Sequence, residues 1–260
     1  AKGGEWRETA REHLKTSVSF SPEMTELTLD IIPNLLAREE LQKRMALELV
    51  APPDEQGFAL RPGYDGLVKV VPKGVVLHVG AGNVFLGVID SLVLGLLTRN
   101  VNVVKVSSSG SNFAALFAQA VAACDKKNLL APHIAVLGWK GGSEDIEREA
   151  VKGSDAVFVW GGAEAVLHYR RLVPETVTVV GFGPKVSFGA AMPSAVEIDS
   201  RAVARAAVRD AALWDQSACA CAHVLYLVCP AEKKRAKLLR DMTELCAAEF
   251  AEFEKNLPQG

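Results

Sequence analysis

The chain has 260 residues, 49% apolar and 23% charged, with 29 Lys+Arg against 31 Asp+Glu and a formal charge of −2. This is a globular composition with room for one large domain or two small ones; it excludes low-complexity disorder, and 21 Gly, 12 Pro and 5 Cys exclude collagen-like or disulfide-dense scaffolds. The near-zero charge gives no bulk drive toward nucleic acid or anionic membrane, and an odd cysteine count with no signal-peptide pattern points to a reducing, cytoplasmic setting.

In chain order, residues 5–15 form a polar, partly amphipathic helix. Ser21-Pro22-Glu23 opens a second, with a capping residue followed by proline at the first helical position. Residues 35–49 continue at helical spacing until Ala51-Pro52-Pro53-Asp54 breaks the pattern, and Arg61-Pro62-Gly63 marks a loop. From Leu67 the character changes. Short β-branched runs at 67–71, 75–79, 101–106, 134–137, 156–160 and 176–180 alternate with helical stretches at 84–98, 112–124, 144–152 and 163–170. Continuous apolar strands alternating with helices predict βαβ units and a parallel sheet covered on both faces. The fold class is therefore α/β, with a nucleotide-binding layout. After Lys185 a strand at 186–190 leads to an Ala-rich helix at 200–213, a cysteine-containing segment, a strand at 224–228 and a long helix from Pro230.

Residues 75–97 are apolar enough to resemble a membrane span, yet they contain His78, Asn83, Asp90 and four glycines. Each buried polar group in a bilayer would need a partner. A buried strand, a glycine turn and a buried helix account for the same residues, so no membrane span is expected.

Several positions carry candidate chemistry. Gly80-Ala81-Gly82-Asn83-Val84-Phe85 sits where a strand hands over to a helix, and backbone N–H groups there can face an anion or a carbonyl oxygen. It lacks the third glycine of the dinucleotide fingerprint, and no acid follows the next strand. A tight turn needing only glycine's backbone freedom explains it equally well, while Asn83 can cap the helix or donate to an oxyanion. Lys105 ends the next strand, where ligands bind in open α/β sheets, with hydroxyl donors at Ser107 and Ser108. A solvated loop lysine is the plain alternative. Trp160-Gly161-Gly162 is a second strand-to-helix glycine turn at the same sheet edge.

The sharpest feature is Trp214-Asp215-Gln216-Ser217-Ala218-Cys219-Ala220-Cys221-Ala222-His223. Zinc sites space their cysteines two to four residues apart and need four ligands, so no metal is expected. Two small buried hydrophobes would also fit. Against that, a thiol at a helix junction can have its pKa lowered by the dipole, and a nucleophilic cysteine near a nucleotide groove implies thioester chemistry.

Together these residues resemble the aldehyde dehydrogenase superfamily and, within it, the acyl-CoA reductases of the bacterial bioluminescence type. Gly74-Val75-Val76-Leu77-His78-Val79 with Asn83 and Phe85 resembles the family's first cofactor strand and catalytic asparagine. Residues 100–105 resemble the strand whose lysine contacts the adenosine ribose, residues 158–164 the turn at the pyrophosphate and nicotinamide, and Trp214-Asp215-Gln216 with Ala218-Cys219 the segment holding the catalytic cysteine. The resemblance implies NADPH or NADH as cofactor, contacted by Lys105, Ser107, Ser108, Gly161, Gly162 and Gly181. It further implies Cys219 as nucleophile toward a fatty acyl-CoA or acyl-carrier thioester, with Asn83 and the Cys219 N–H holding the oxyanion. Cys221 is left as a resolving thiol or packing residue, and His223 as a core or supporting residue.

Two departures inform this reading. Val180-Gly181-Phe182-Gly183-Pro184-Lys185 stands where aldehyde-oxidising members carry Glu-Leu-Gly-Gly-Lys, so the base that activates hydrolytic water is replaced by Gly181. Ser108 stands where many NAD-preferring relatives carry an acid, which leaves room for a 2′-phosphate. The resemblance divides the chain into N-terminal helices with a Rossmann-type cofactor domain over 1–182 and the start of an α/β catalytic domain over 183–260. Its relatives run roughly two hundred residues further, well above the size of one domain, which implies an incomplete catalytic domain here and a homo-oligomer in the full-length protein. Semialdehyde or acyl-phosphate chemistry on the same scaffold, and a non-catalytic nucleotide-binding module, are the competing expectations.

Overall fold

The computed structural model describes residues 2–17, 20–49, 57–60, 63–80, 86–106, 112–216, 218–229 and 232–254. Two units are distinguished: residues 1–18 with 28–183, and residues 19–27 with 184–260.

The N-terminal layer comprises α1 (Lys2–Ser17), α2 (Pro22–Leu35) and α3 (Arg38–Glu48). Strands β1 (Ala59–Leu60) and β2 (Leu67–Val68) form a small antiparallel pair. The run at 67–71 is thus shorter than its composition suggests and lies outside the main sheet. Pro72 and the positive φ of Gly74 (120°) interrupt it before the next strand.

The remainder of the first unit is the βαβ alternation expected from the sequence: β3 (Val75–Val79), α4 (Leu86–Leu97), β4 (Val101–Val106), α5 (Phe113–Cys124), β5 (Ile134–Gly138), α6 (Glu144–Lys152), β6 (Ala156–Trp160), α7 (Ala163–Leu172) and β7 (Thr178–Phe182). The strands pair in parallel in the order β5-β4-β3-β6-β7. The chain reverses direction across the sheet at β3/β6, and the carboxyl ends of the strands there form the ligand-binding crevice of such sheets.

Strand alternation sends Leu77 and Val79 to one face, where they join Val151 of α6, Val157 and Val159 of β6, and Val166 and Tyr169 of α7 in one buried cluster. His78 points to the opposite face. Its Nδ1 lies 2.8 Å from Ser91 Oγ of α4 and its Nε2 3.0 Å from Asn102 Oδ1 of β4. Asn102 Oδ1 can only accept, so Nε2 carries the proton and Nδ1 receives the Ser91 hydroxyl. Gly95 makes this network possible, because a Cβ there would lie 1.9 Å from Asn102 Oδ1. Asp90 is bound by the Arg44 guanidinium of α3 at 2.6 and 2.9 Å. The polar residues of the apolar 75–97 stretch that the structure describes therefore have partners inside a folded domain. Among the described residues, no helix is long and apolar enough to cross a membrane.

In the second unit, β8 (Ser187–Ala191) and β9 (Ala222–Leu227) form a parallel pair, accompanied by α8 (Pro193–Ala212) and α9 (Glu232–Glu254). The helix expected from Ser200 starts earlier, at Pro193, but it is broken at Asp199 (φ −156°, ψ 89°). Asp199 Oδ1 accepts the Ala202 N–H at 2.8 Å, so its carboxylate caps the segment that the sequence pattern picks out. Arg201 and Arg205 of α8 both reach Glu249 of α9 at 3.0 Å, tying the two helices together.

Candidate active site

In the first unit, Lys105 lies near the carboxyl end of β4 and is only 6% exposed. Its register partner on β3 is Val79, which places it on the side of the sheet covered by α6 and α7. Burial lowers the pKa of its ammonium, and the charge of Glu147 on α6 partly offsets this. Glu147 is itself 1% exposed. Its Oε2 lies 2.7 Å from His168 Nε2, and its Oε1 accepts the Tyr169 hydroxyl at 3.2 Å and the Gly142 N–H at 3.3 Å. Burial pushes the Glu147 carboxyl up, but the His168 and Gly142 hydrogen bonds and the imidazole's charge outweigh it and hold the group below the ordinary glutamate value. The Tyr169 phenol is pushed up by burial and by the adjacent carboxylate. Glu147 is absent from the sequence-derived site. Its signal is faint: the only buried residues of α6 are Glu147 and Val151, four apart, so an acid occupies an inward-facing position.

Trp160 ends β6 and stacks on Phe182 of β7 with ring centroids 4.0 Å apart. Its buried indole N–H has no hydrogen-bond partner among the described residues. Gly162 is the N-terminal flanking residue of α7, with open space where a side chain would project, and Glu164 already places one negative charge in the first turn. Gly161 is bonded through its N–H to the Phe182 carbonyl at 3.4 Å. Gly181 has a packing reason of its own, since a Cβ there would lie 2.6 Å from Val166 Cγ1 and its absence lets β7 approach α7. Asn83, Ser107 and Ser108 lie outside the described residues. A buried lysine at a strand's carboxyl end and an open helix N-terminus, both at the edge of the sheet where open α/β sheets bind ligands, fit a nicotinamide dinucleotide.

The second unit holds the cysteine segment. After α8 ends, Trp214, Asp215 and Gln216 all take left-handed backbone, with φ of 45°, 51° and 60°. Each such residue costs about 1–2 kcal/mol, least for Asp, so three in succession need outside support. Asp215 supplies it: its Oδ2 accepts the Ser21 N–H at 2.7 Å and its Oδ1 the Ser21 hydroxyl at 3.1 Å. The Trp214 N–H points to Met24 Sδ at 3.2 Å.

The two cysteines beyond this turn have different environments. Cys221 is fully buried, its thiol donates to the Leu213 carbonyl at 2.8 Å, and burial pushes that thiol's pKa up. Cys219 is exposed, and its carbonyl accepts the Ser187 hydroxyl of β8 at 2.6 Å. Among the described residues, no group of three or more His, Cys, Asp or Glu is arranged to hold a metal ion.

A family model described as Acyl-CoA reductase (LuxC) matches residues 2–260. The chain is 30% identical over 208 residues to a long-chain acyl-protein thioester reductase of Vibrio harveyi, covering 79% of this chain and 43% of that protein. It is 28% identical over 229 residues to the protein of the same description from Aliivibrio fischeri, covering 85% and 46%. The chain thus spans less than half the length of these relatives. Among solved structures it resembles an NAD-dependent benzaldehyde dehydrogenase from Corynebacterium glutamicum, with TM-score 0.66 and 16% identity over 99% of this chain and 52% of that one. It also resembles a glyceraldehyde-3-phosphate dehydrogenase from Methanocaldococcus jannaschii complexed with NADP, with TM-score 0.66 and 15% identity over 94% and 50%. The fold is thus of the aldehyde dehydrogenase type, and the chain belongs to the acyl-CoA reductase (LuxC) family.

Proposed function

We propose that this chain carries the nucleophile and cofactor residues of a reductase that converts a fatty acyl thioester, on CoA or on a carrier, to the aldehyde. The observation that carries the reading is the contrast between the two cysteines: Cys219 is an exposed residue, whereas Cys221 is buried and bonded to Leu213. The Cys219 thiolate attacks the thioester carbonyl carbon, the bond from that carbon to the carrier sulfur breaks, and the carrier leaves as a thiol after taking up a proton. Asn83 is the side-chain amide assigned to the oxyanion. NADPH or NADH, when bound, supplies the hydride that reduces the acyl thioester to the aldehyde level. Lys105, its charge balanced by Glu147, would hold the adenosine ribose; Gly161 and Gly162 would lie against the pyrophosphate, with Ser107 and Ser108 beside the ribose. Gly181 leaves no carboxylate at the position of the hydrolytic base, which spares the acyl-enzyme from water.

The test is acylation by a radiolabelled long-chain acyl-CoA, with the adduct mapped by mass spectrometry. Label is expected on Cys219, lost in Cys219→Ala and discharged as aldehyde on adding NADPH. Cys221→Ala retains the label but loses about 1–3 kcal/mol of stability, because the Leu213 carbonyl is left without that donor. Label on neither cysteine overturns the proposal.

A further inference from the structure

The left-handed turn before Cys219 has an anchor that the reaction as described does not use. Ser21 is the N-terminal cap of α2: its carbonyl accepts the Thr25 N–H at 2.9 Å, and its hydroxyl faces the Met24 N–H at 3.4 Å. In a capping box, a Glu or Gln at the third helical position reaches back to the cap's own N–H. Here the third position, after Pro22 and Glu23, is Met24, which has no carboxylate. Asp215, 194 residues away in sequence, takes that place and binds both the Ser21 N–H and its hydroxyl. Its negative charge also lies at the positive end of the helix dipole.

The same side chain belongs to the middle residue of the Trp214–Asp215–Gln216 turn. The turn's first N–H is directed to Met24 Sδ, one further tie to the first turn of α2. Downstream, the Cys221 N–H bonds the Ala218 carbonyl at 3.1 Å and the Cys221 thiol bonds Leu213, closing the segment around Cys219 from the other side. Cys219 is thus suspended between a buried cysteine and a strained turn that the Asp215–Ser21 clamp and the Trp214–Met24 contact tie to α2.

We infer that Asp215 is a positioning residue for Cys219: by completing the cap of α2 it holds the left-handed turn, and so fixes where the nucleophile is presented. The inference rests on Cys219 being the acylated residue. Loss of the clamp lets the turn relax toward right-handed or extended backbone, which is intrinsically favoured for Trp214 and Gln216. The thiol stays chemically intact but is no longer held for attack on a thioester carbonyl, a step that depends on orientation.

The test compares the wild-type chain with Asp215→Ala, Asp215→Asn and Ser21→Ala by two readouts. One is hydrogen exchange of peptides spanning 213–222, and the other is the single-turnover rate of Cys219 acylation by a long-chain acyl-CoA. Asparagine tolerates left-handed backbone, can accept the Ser21 N–H and can donate to its hydroxyl. Asp215→Ala is expected to raise exchange in 213–222, leave exchange in β3–β7 unchanged and slow acylation tenfold or more. Asp215→Asn is expected to recover most of the rate, and Ser21→Ala, which keeps the backbone donor, to fall between. Recovery by the amide separates positioning from a general loss of fold. Unchanged exchange in Asp215→Ala overturns the clamp, and faster exchange with a wild-type acylation rate overturns its role in positioning. If Asp215→Ala does not fold, Ser21→Ala carries the same two outcomes. An absence of acylation in the wild-type chain would refute the proposed reaction, while the exchange readout would still decide whether the clamp holds the turn.

Discussion

Burial sorts chemically similar side chains into different roles. Cys219 and Cys221 are two positions apart, and only Cys219 is exposed. His78 is a second case: burial lowers its pKa, partly opposed by the hydrogen bond to Asn102. The native state therefore binds fewer protons than the unfolded chain once the pH drops below the ordinary histidine value of about 6.5. Its contribution to stability is complete above that value and is lost as pH falls toward the depressed native pKa. We expect the urea midpoint to be lower at pH 5.5 than at pH 7.5 because of this group. His78→Gln should remove that part of the pH dependence. Neither role was legible from composition. The sequence marked both cysteines and the polar residues of the apolar stretch, but whether a thiol is buried or an imidazole finds two partners depends on strands far apart in the chain.

At the scale of elements, continuous β-branched runs identified β3, β4, β5 and β6 closely, because strands buried on both faces need no alternation. Misplacements arose where a local conformation overrode composition, as at Asp199 within α8 and at Pro72–Gly74 after β2. Glu147 shows the complementary limit. On α6 it reads as one more acid in a helix that opens Glu144-Asp145, and only the packing of α6 against α7 and β4 makes it the buried partner of His168 and the counter-charge of Lys105. Glu147→Gln is expected to lower stability by about 1–3 kcal/mol. It should also weaken NADPH binding several-fold, more at high pH, because the buried Lys105 ammonium loses its compensating charge. Fluorescence titration between pH 7 and pH 9 checks this, and an affinity equal to wild type across that range would remove Glu147 from the cofactor site.

For the whole molecule, the division at Gly183/Pro184 separates the parallel-sheet unit from the unit that carries Cys219 and Cys221, and residues 19–27 belong with the latter. A dinucleotide bound at the carboxyl edge of β3–β7 stabilises its unit by mass action, about 2.7 kcal/mol at a hundredfold excess over Kd. Hydrogen exchange with saturating NADPH should therefore show protection in β3, β4, β6 and the start of α7, and little in α9. Protection confined to residues 213–229 would place the nucleotide elsewhere. By itself the sequence determined the types and order of the elements from β3 to β7, the parallel sheet and the motifs that carry the family resemblance, because hydrophobic period and turn residues are local properties. Only the tertiary structure decided which cysteine is buried, which acid balances Lys105 and what holds the turn before Cys219. Those depend on desolvation and on pairings such as Ser21 with Asp215, which no local pattern encodes.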